Sequence, residues 1–271
     1  MDTLIYGTLC AKNEEDILPY ILESTLTWID KLFVIDNGSD DSTPEIFKRA
    51  ALDDSRICYL GQILAPFTEG YKSIAVGYVQ ANPTIPDPDW WAIVDSDEVY
   101  PKSPRSFIEN VPERYGQVAT DCFEFSGYLG HGSPIKAHSY KYVTHLDWAE
   151  TRFFRNSKSA SWASYNDNGM SGCRAAYPKR IQIHHFPLRT EHQVAQRIID
   201  RNTSRANSKI PWHNSKFKSA ADALARYSSE SRQYVRNQNF EEKIPAKNFY
   251  STWRHYASSA TKQGLHFLGL M

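Results

Sequence analysis

Asp95-Ser96-Asp97 carries the most specific chemistry in this sequence. It follows directly on the apolar run Trp90-Trp91-Ala92-Ile93-Val94, so two carboxylates one residue apart stand at the tip of a strand buried on both faces. Such a pair can converge on one hard divalent cation. Mg²⁺ or Mn²⁺ takes few protein carboxylates and fills its other positions with water and phosphate oxygens. A cation held there would neutralise a diphosphate leaving group, the Lewis-acid role. Three-residue acid patterns also occur on ligand-free surface turns. The buried strand distinguishes this one, because nothing structural requires acids at its end.

Two further segments end apolar runs in the same way. Ala11-Lys12-Asn13-Glu14-Glu15 follows the first run. A helix N-terminus accounts for its acids through the dipole but not for the Lys-Asn before them. Asp36-Asn37-Gly38-Ser39-Asp40-Asp41-Ser42-Thr43 follows the second. Turn and cap chemistry explains Gly38 to Ser42. Asp36 and Asn37 lie earlier, at the strand tip, where their side chains can hydrogen-bond a nucleobase edge. A fourth segment is His184-His185-Phe186-Pro187-Leu188-Arg189-Thr190. By strand alternation Ile181, Ile183 and His185 share a face, and the ordinary role of a His on such a face is a hydrogen-bonded core residue.

The first three segments, in this order and spacing over about residues 3 to 100, resemble the nucleotide-binding half of glycosyltransferase family 2 and its relatives with the GT-A fold. The resemblance implies transfer of a sugar from a nucleoside-diphosphate donor, with uracil the favoured base and Mn²⁺ or Mg²⁺ as cofactor. It implies that Asp36 and Asn37 touch base or ribose, and that Asn13, Glu14 and Ser96 lie against the donor. Asp95 would reach ribose or metal, Asp97 would bind the metal, and Lys72 would lie near the nucleotide. Asn37 departs from the second Asp of many relatives, yet an amide still donates and accepts. The fourth segment is similar to a His-aromatic-Pro-x-Arg-Ser/Thr motif in one branch of these enzymes. That likeness makes His185 the third metal ligand, with His184 as fallback, and sets Arg189 against the diphosphate.

An inverting transferase needs a carboxylate to deprotonate the acceptor hydroxyl. His145-Leu146-Asp147-Trp148-Ala149-Glu150-Thr151 places two acids beside a Trp that can stack on a sugar. Glu150 or Asp147 is the expected base, with Asp167 third. A retaining mechanism stays open. A nucleotidyltransferase would show a Gly-rich basic loop after the first strand, and Lys12-Asn13-Glu14-Glu15 is not one. A non-catalytic binding protein for nucleic acid or anionic surfaces is the other alternative.

The elements that must position these groups alternate strand and helix through the first hundred residues. Apolar strands alternating with helices make a parallel sheet covered by helices, with ligands at the carboxyl ends of its strands. Strands are expected over 3–9, 31–35, 57–60 and 90–94. Helices are expected over 14–28, 42–52, opened by a Ser42/Glu45 capping box, and 69–81. Strands of mixed polarity follow over 118–128, 139–145, 151–155 and 180–185, then helices over 190–205, 217–235 and 249–261. The expected fold class is therefore α/β, a mostly parallel GT-A sheet flanked by helices with a basic helical C-terminal extension. Residues 1–206 form the transferase domain (1–100 nucleotide half, 101–206 acceptor and metal half), and 207–271 the extension.

Composition narrows the class. At 271 residues and 41% hydrophobic, the chain has enough apolar content for a large core. No apolar run approaches the roughly 20 residues that span a bilayer. The start has no basic n-region, and no two of the four cysteines have zinc-ligand or redox spacing, which points to a reducing cytoplasm. Net charge is zero but unevenly placed: from Lys179 onward there are 16 basic and 6 acidic residues, leaving 15 basic and 25 acidic before it. Arg197, Arg201 and Arg205 fall on one helix face, an anion-binding surface or a solvated one. The asymmetry suits an anionic acceptor: an anionic glycan, a lipid-linked phosphate at a membrane surface, or DNA.

Overall fold

The computed structural model describes residues 3–128, 135, 139–146, 149–162, 169–207, 219, 221–222 and 233–234, with 142, 201–207 and 233–234 through their backbone. Four strands lie parallel at its centre: Ile5–Ala11 (β1), Lys31–Asp36 (β2), Ile57–Gln62 (β3) and Trp90–Val94 (β4). β1 pairs with both β2 and β4, so the strand order is β4-β1-β2-β3. Register sets the active edge. Leu9 lies level with Val94, and Ala11 with Asp36. The residues after each tip (Lys12, Asn37, Asp95) therefore emerge along one rim.

Period-two alternation divides the core into two layers. Trp90, Ala92 and Val94 face one side, with Ile5, Leu9 and Ala11. Trp91 and Ile93 face the other, with Tyr6 and Phe33. The helices Leu18–Leu26 (α1) and Thr43–Asp53 (α2) cover the first side through Ile21, Leu22 and Phe47. The helix Ser73–Ala81 (α3) covers the second through Ala75, Val76 and Val79.

Beyond β4 the chain adds the pair Glu98–Val99 (β5), the short helix Arg105–Glu109 (α4) and the long strand Tyr115–Tyr128 (β6). Tyr140–His145 (β7), Thr151–Arg155 (β8), Ala175–Ala176 (β9) and Ile181–His185 (β10) follow. β8 bridges the halves, antiparallel to both β4 and β6. β10 runs parallel to β6 and antiparallel to β5. The parallel, helix-covered sheet is as the sequence predicts, and strands of both directions extend it. The helix Glu191–Asn207 (α5) closes the described domain.

Three expectations change. The Ser42/Glu45 box does not form: Ser42 makes no side-chain cap bond, and Asp41 Oδ1 accepts from the Thr43 N–H at 2.9 Å instead. The first turn of the expected 69–81 helix is a 3-10 turn, Glu69–Lys72, entered through Thr68. Within the expected 217–235 helix, Gln233–Tyr234 (β11) is a strand antiparallel to β7. Apart from 207, 219 and 221–222, the rest of the 207–271 extension lies outside the described residues. No described helix is long and apolar enough to cross a membrane, and Cys10, Cys58, Cys122 and Cys173 form no disulfide.

Phe47 is fully buried and stacks on Tyr59 at 6.0 Å, fastening α2 to the sheet. Phe47→Ala should cost about 3–5 kcal/mol in urea unfolding; a loss under about 1 kcal/mol would mean that α2 is not docked as described.

Candidate active site

A cleft of about 710 Å³ opens at the carboxyl ends of β1, β2 and β4. It gathers nine residues singled out by sequence: Asn13, Glu14, Asn37, Lys72, Asp95, Ser96, Asp97, Glu150 and His185. Asp147, the alternative base, lies outside the described residues, as does Asp167.

Asp95 is gripped from two sides. Lys72 Nζ donates to its Oδ1 at 2.6 Å, and Arg152 Nη2 stands 2.7 Å from its Oδ2. Lys72 is itself fixed: the 3-10 turn presents it, its carbonyl accepts from Thr8 Oγ1 at 3.0 Å, and its ammonium also meets Glu69 at 2.9 Å. Burial alone would lower the Lys72 pKa, but Asp95 and Glu69 outweigh it and hold it above its ordinary value. Burial likewise opposes the charge on Asp95, and Arg152 and Lys72 reverse that, holding it at about 2. Arg152 Nη2 simultaneously reaches Glu98 at 2.6 Å and Glu150 at 2.7 Å. Oxygens of Asp95, Glu98 and Glu150 thus fall within 4.8 Å of one another. Burial pushes Glu98 up to about 7 despite Arg152 beside it.

Asp97 is held by a second set. β5 pairs with β10 so that His185 lies opposite Glu98, and the Phe186 N–H donates to the Asp97 carbonyl at 2.8 Å. His185 Nε2 comes within 3.3 Å of Asp97 Oδ2, and Arg197 Nη1 of α5 donates to the same oxygen at 2.7 Å. Burial disfavours the Asp97 charge, yet Arg197 and His185 hold the carboxyl well below its usual range. On its far side His185 Nδ1 is 3.2 Å from Glu124, too far off line to count as a hydrogen bond. His184 turns away and packs on Phe125 at 4.8 Å. Of the two histidines, His185 is the one in the cleft.

Two expected donor contacts stand elsewhere. Arg189 is fully buried behind the cleft wall, not on it. Its guanidinium binds Asp16 (2.8 and 2.9 Å), Glu14 and the Phe186 carbonyl. It ties the start of α5 to the loop after β1, because Glu14 and Asp16 need a countercharge there. Asp36 does not line the cleft either. Its carboxylate accepts from the Gly38 and Ser39 N–H groups, Ser39 Oγ and Gln62 Nε2, which shapes the turn after β2. Asn37 does face the cleft, with both amide hydrogens spent on the Ile63 and Ala65 carbonyls. That leaves Oδ1 as an acceptor. Asn13 adopts a left-handed φ of 55°. It accepts from the Asp40 N–H at 2.8 Å and donates to Asp200 of α5 at 2.9 Å.

Sequence reasoning missed Glu98, Arg152 and Asp200, and it gave Arg197 only to a general basic stripe. Glu98 was signalled, since it extends the acid pair to Asp-Ser-Asp-Glu. Arg152 lies two residues beyond Glu150, hence on the same side of an extended chain. The meeting of α5 with Asp97 is a contact across 100 residues and has no local signal.

Among the described residues, seven carboxylates line the cleft (Glu14, Glu69, Asp95, Asp97, Glu98, Glu150, Asp200) against four lysines and arginines (Lys12, Lys72, Arg152, Arg197). An excess of three acids, offering carboxylate oxygens and one imidazole nitrogen, suits a hard divalent cation. Behind the wall, Arg189→Ala would leave Glu14 buried beside Asp16 without its main countercharge. It should destabilise the fold by about 3–5 kcal/mol in chemical denaturation, and Arg189→Lys should recover only part because it lacks the fork. Full recovery with Lys would show that the bidentate geometry is immaterial.

Residues 8–181 match the model of glycosyl transferase family 2. No curated protein matches the chain. Among solved structures, the mannosyltransferase PcManGT from Pyrobaculum calidifontis, in complex with GDP-Man and Mn²⁺, is 13% identical with a TM-score of 0.42, over 86% of this chain and 77% of that one. A mycobacterial protein is 19% identical (TM-score 0.31, 48% of this chain and 43% of that one). The glycosyltransferase GlyE from Streptococcus pneumoniae is 11% identical (TM-score 0.29, 48% and 32%). Likenesses this distant say nothing about ligand or substrate. The family match spans well over half of the chain, in the region that builds the cleft from β1 to β8, and the chain belongs to glycosyl transferase family 2.

Proposed function

We propose that this protein is a metal-dependent transferase that moves a sugar from a nucleoside-diphosphate donor to an acceptor hydroxyl with inversion. The observation that carries this reading is the acid-rich cleft at the strand tips, where Asp97 and His185 meet and Asp95 stands beside them. Asp95, Asp97 and His185 would hold Mn²⁺ or Mg²⁺, which supplies Lewis-acid stabilisation of the departing diphosphate. The nucleoside lies along the rim between Lys12-Asn13-Glu14 and Asn37, with Lys72 and Ser96 beneath it. Uracil remains the favoured base: its ring N–H, like that of other bases carrying one, can donate to Asn37 Oδ1, the amide hydrogens being used on Ile63 and Ala65.

Glu150 serves as the base. It is partly exposed in the cleft, and Arg152 orients one of its oxygens. Glu150 takes the acceptor proton as the acceptor oxygen bonds to the anomeric carbon, and the bond from that carbon to the diphosphate oxygen breaks. Lys72 and Arg152 keep Asp95 ionised throughout. The charge excess beyond Lys179 favours an acceptor that is itself anionic: a glycan, a lipid-linked phosphate or DNA.

Thermal shift with a panel of nucleoside diphosphates, with and without Mn²⁺, tests the donor site. UDP should raise the melting temperature of the wild type only with metal, and Asp97→Asn should abolish the effect. No shift by any nucleotide in the presence of Mn²⁺ would sink the reading. With a donor identified, Glu150→Gln should cut turnover by about 100-fold or more while donor affinity holds. Turnover within a few-fold of wild type would remove Glu150 as the base.

A further inference from the structure

Asp97 lines the cleft, and one of its oxygens already has a cation on it. Arg197 Nη1 binds Asp97 Oδ2 at 2.7 Å, and His185 Nε2 approaches the same atom at 3.3 Å. A divalent cation ligated by Asp97 and His185 would require that oxygen too. Guanidinium and metal therefore compete at one oxygen, since each draws on the same negative charge.

Arg197 is built to leave. Its other contacts are a 3.3 Å bond to the Pro187 carbonyl and a distant 3.9 Å approach to Glu14. Neither partner depends on it: Glu14 keeps Arg189, and the Pro187 carbonyl keeps Gln193 Nε2 at 3.4 Å. Arg189 pins the start of α5, so the helix can stay in place while the Arg197 side chain swings. That side chain already lines the cleft. Once displaced by a metal, a forked guanidinium in an acid-rich cleft needs another anion. A metal-bound diphosphate, with paired oxygens, is the matching partner.

We propose that Arg197 is a shared cation, holding Asp97 in the free protein and passing to the donor's diphosphate when metal takes Asp97. The proposal rests on the metal-dependent donor reading above and adds an ordering to it. Metal frees the arginine that the diphosphate needs, so each ligand strengthens binding of the other.

The test measures Mn²⁺ affinity by electron paramagnetic resonance of the free ion, and UDP affinity by calorimetry at saturating Mn²⁺. It uses wild type, Arg197→Gln, Arg197→Lys and Asp97→Asn. Arg197→Gln should bind Mn²⁺ about tenfold more tightly and UDP about tenfold more weakly, the order of one charge-assisted hydrogen bond in each direction. A purely structural arginine would weaken both together. Arg197→Lys keeps the charge without the fork, so it should bind Mn²⁺ near the wild-type level and still lose UDP affinity. It carries the test if the Gln variant does not fold. Mn²⁺ binding that is unchanged or weaker in Arg197→Gln overturns the proposal, as does unchanged UDP binding in both variants. Asp97→Asn separates the two levels. If it leaves Mn²⁺ binding intact, the metal-site reading itself fails. If it abolishes binding while Arg197→Gln gains none, only the shared-cation proposal fails.

Discussion

Buried carboxylates cannot be packed together without countercharges, and this constraint organises the whole site. Burial raises the energy of each charged acid, and a neighbouring acid raises it further. The protein meets the constraint with Lys72, which holds Asp95 and Glu69, and with three arginines. Arg152 gathers Asp95, Glu98 and Glu150; Arg197 takes Asp97; Arg189 takes Glu14 and Asp16. Each comes from an element far along the chain from most of its partners. β8 and α5 are thereby locked to the tips of β1 and β4 by the same charges that shape the cleft.

This arrangement divides stability from function by depth. Arg189 is sealed from solvent and serves the fold. Arg152 and Arg197 line the cleft, and so do the acids they hold. The cleft therefore stays poised. The carboxyls of Asp95 and Asp97 are held low, as a cation requires, by countercharges that let the acids stand together before one arrives. Glu14 and Glu98 lie the other way, since burial pushes both carboxyls up, Glu98 to about 7.

The fold was legible wherever one physical signal dominated. The run from Trp90 to Val94 could only be a strand buried on both faces, and Thr151 to Arg155 was bounded correctly as well. Asp95 and Asp97 could be picked out because acids at a buried strand tip are locally odd, and His185 only through the likeness of its His-aromatic-Pro-x-Arg segment to the family's, since a His on an apolar strand face is ordinarily a core residue. Asp36, a strand-tip acid, and Arg189, named through the same likeness, stand off the cleft wall. Their residue types suited a ligand, but a Gly turn in one case and two acids after β1 in the other used their hydrogen bonds first. Pairings such as Arg197 with Asp97 depend on how α5 returns across the sheet, which sequence periodicity does not encode. Membership in family 2 sets aside the nucleotidyltransferase alternative; the matched region supplies the cleft residues from Cys10 to Arg152, and His185, Gln193, Arg197 and Asp200 lie beyond it.

The most direct test of the central claim is anomalous diffraction at the manganese edge, on crystals grown with Mn²⁺ and UDP. The account predicts one peak within about 2.2 Å of an Asp97 oxygen, a distance appropriate to a hard divalent ion. It also predicts that this peak touches His185 and the diphosphate, with the Arg197 guanidinium turned away from Asp97. A peak bound elsewhere in the cleft, or UDP bound with Asp97 still held by Arg197 and no metal beside it, would contradict it.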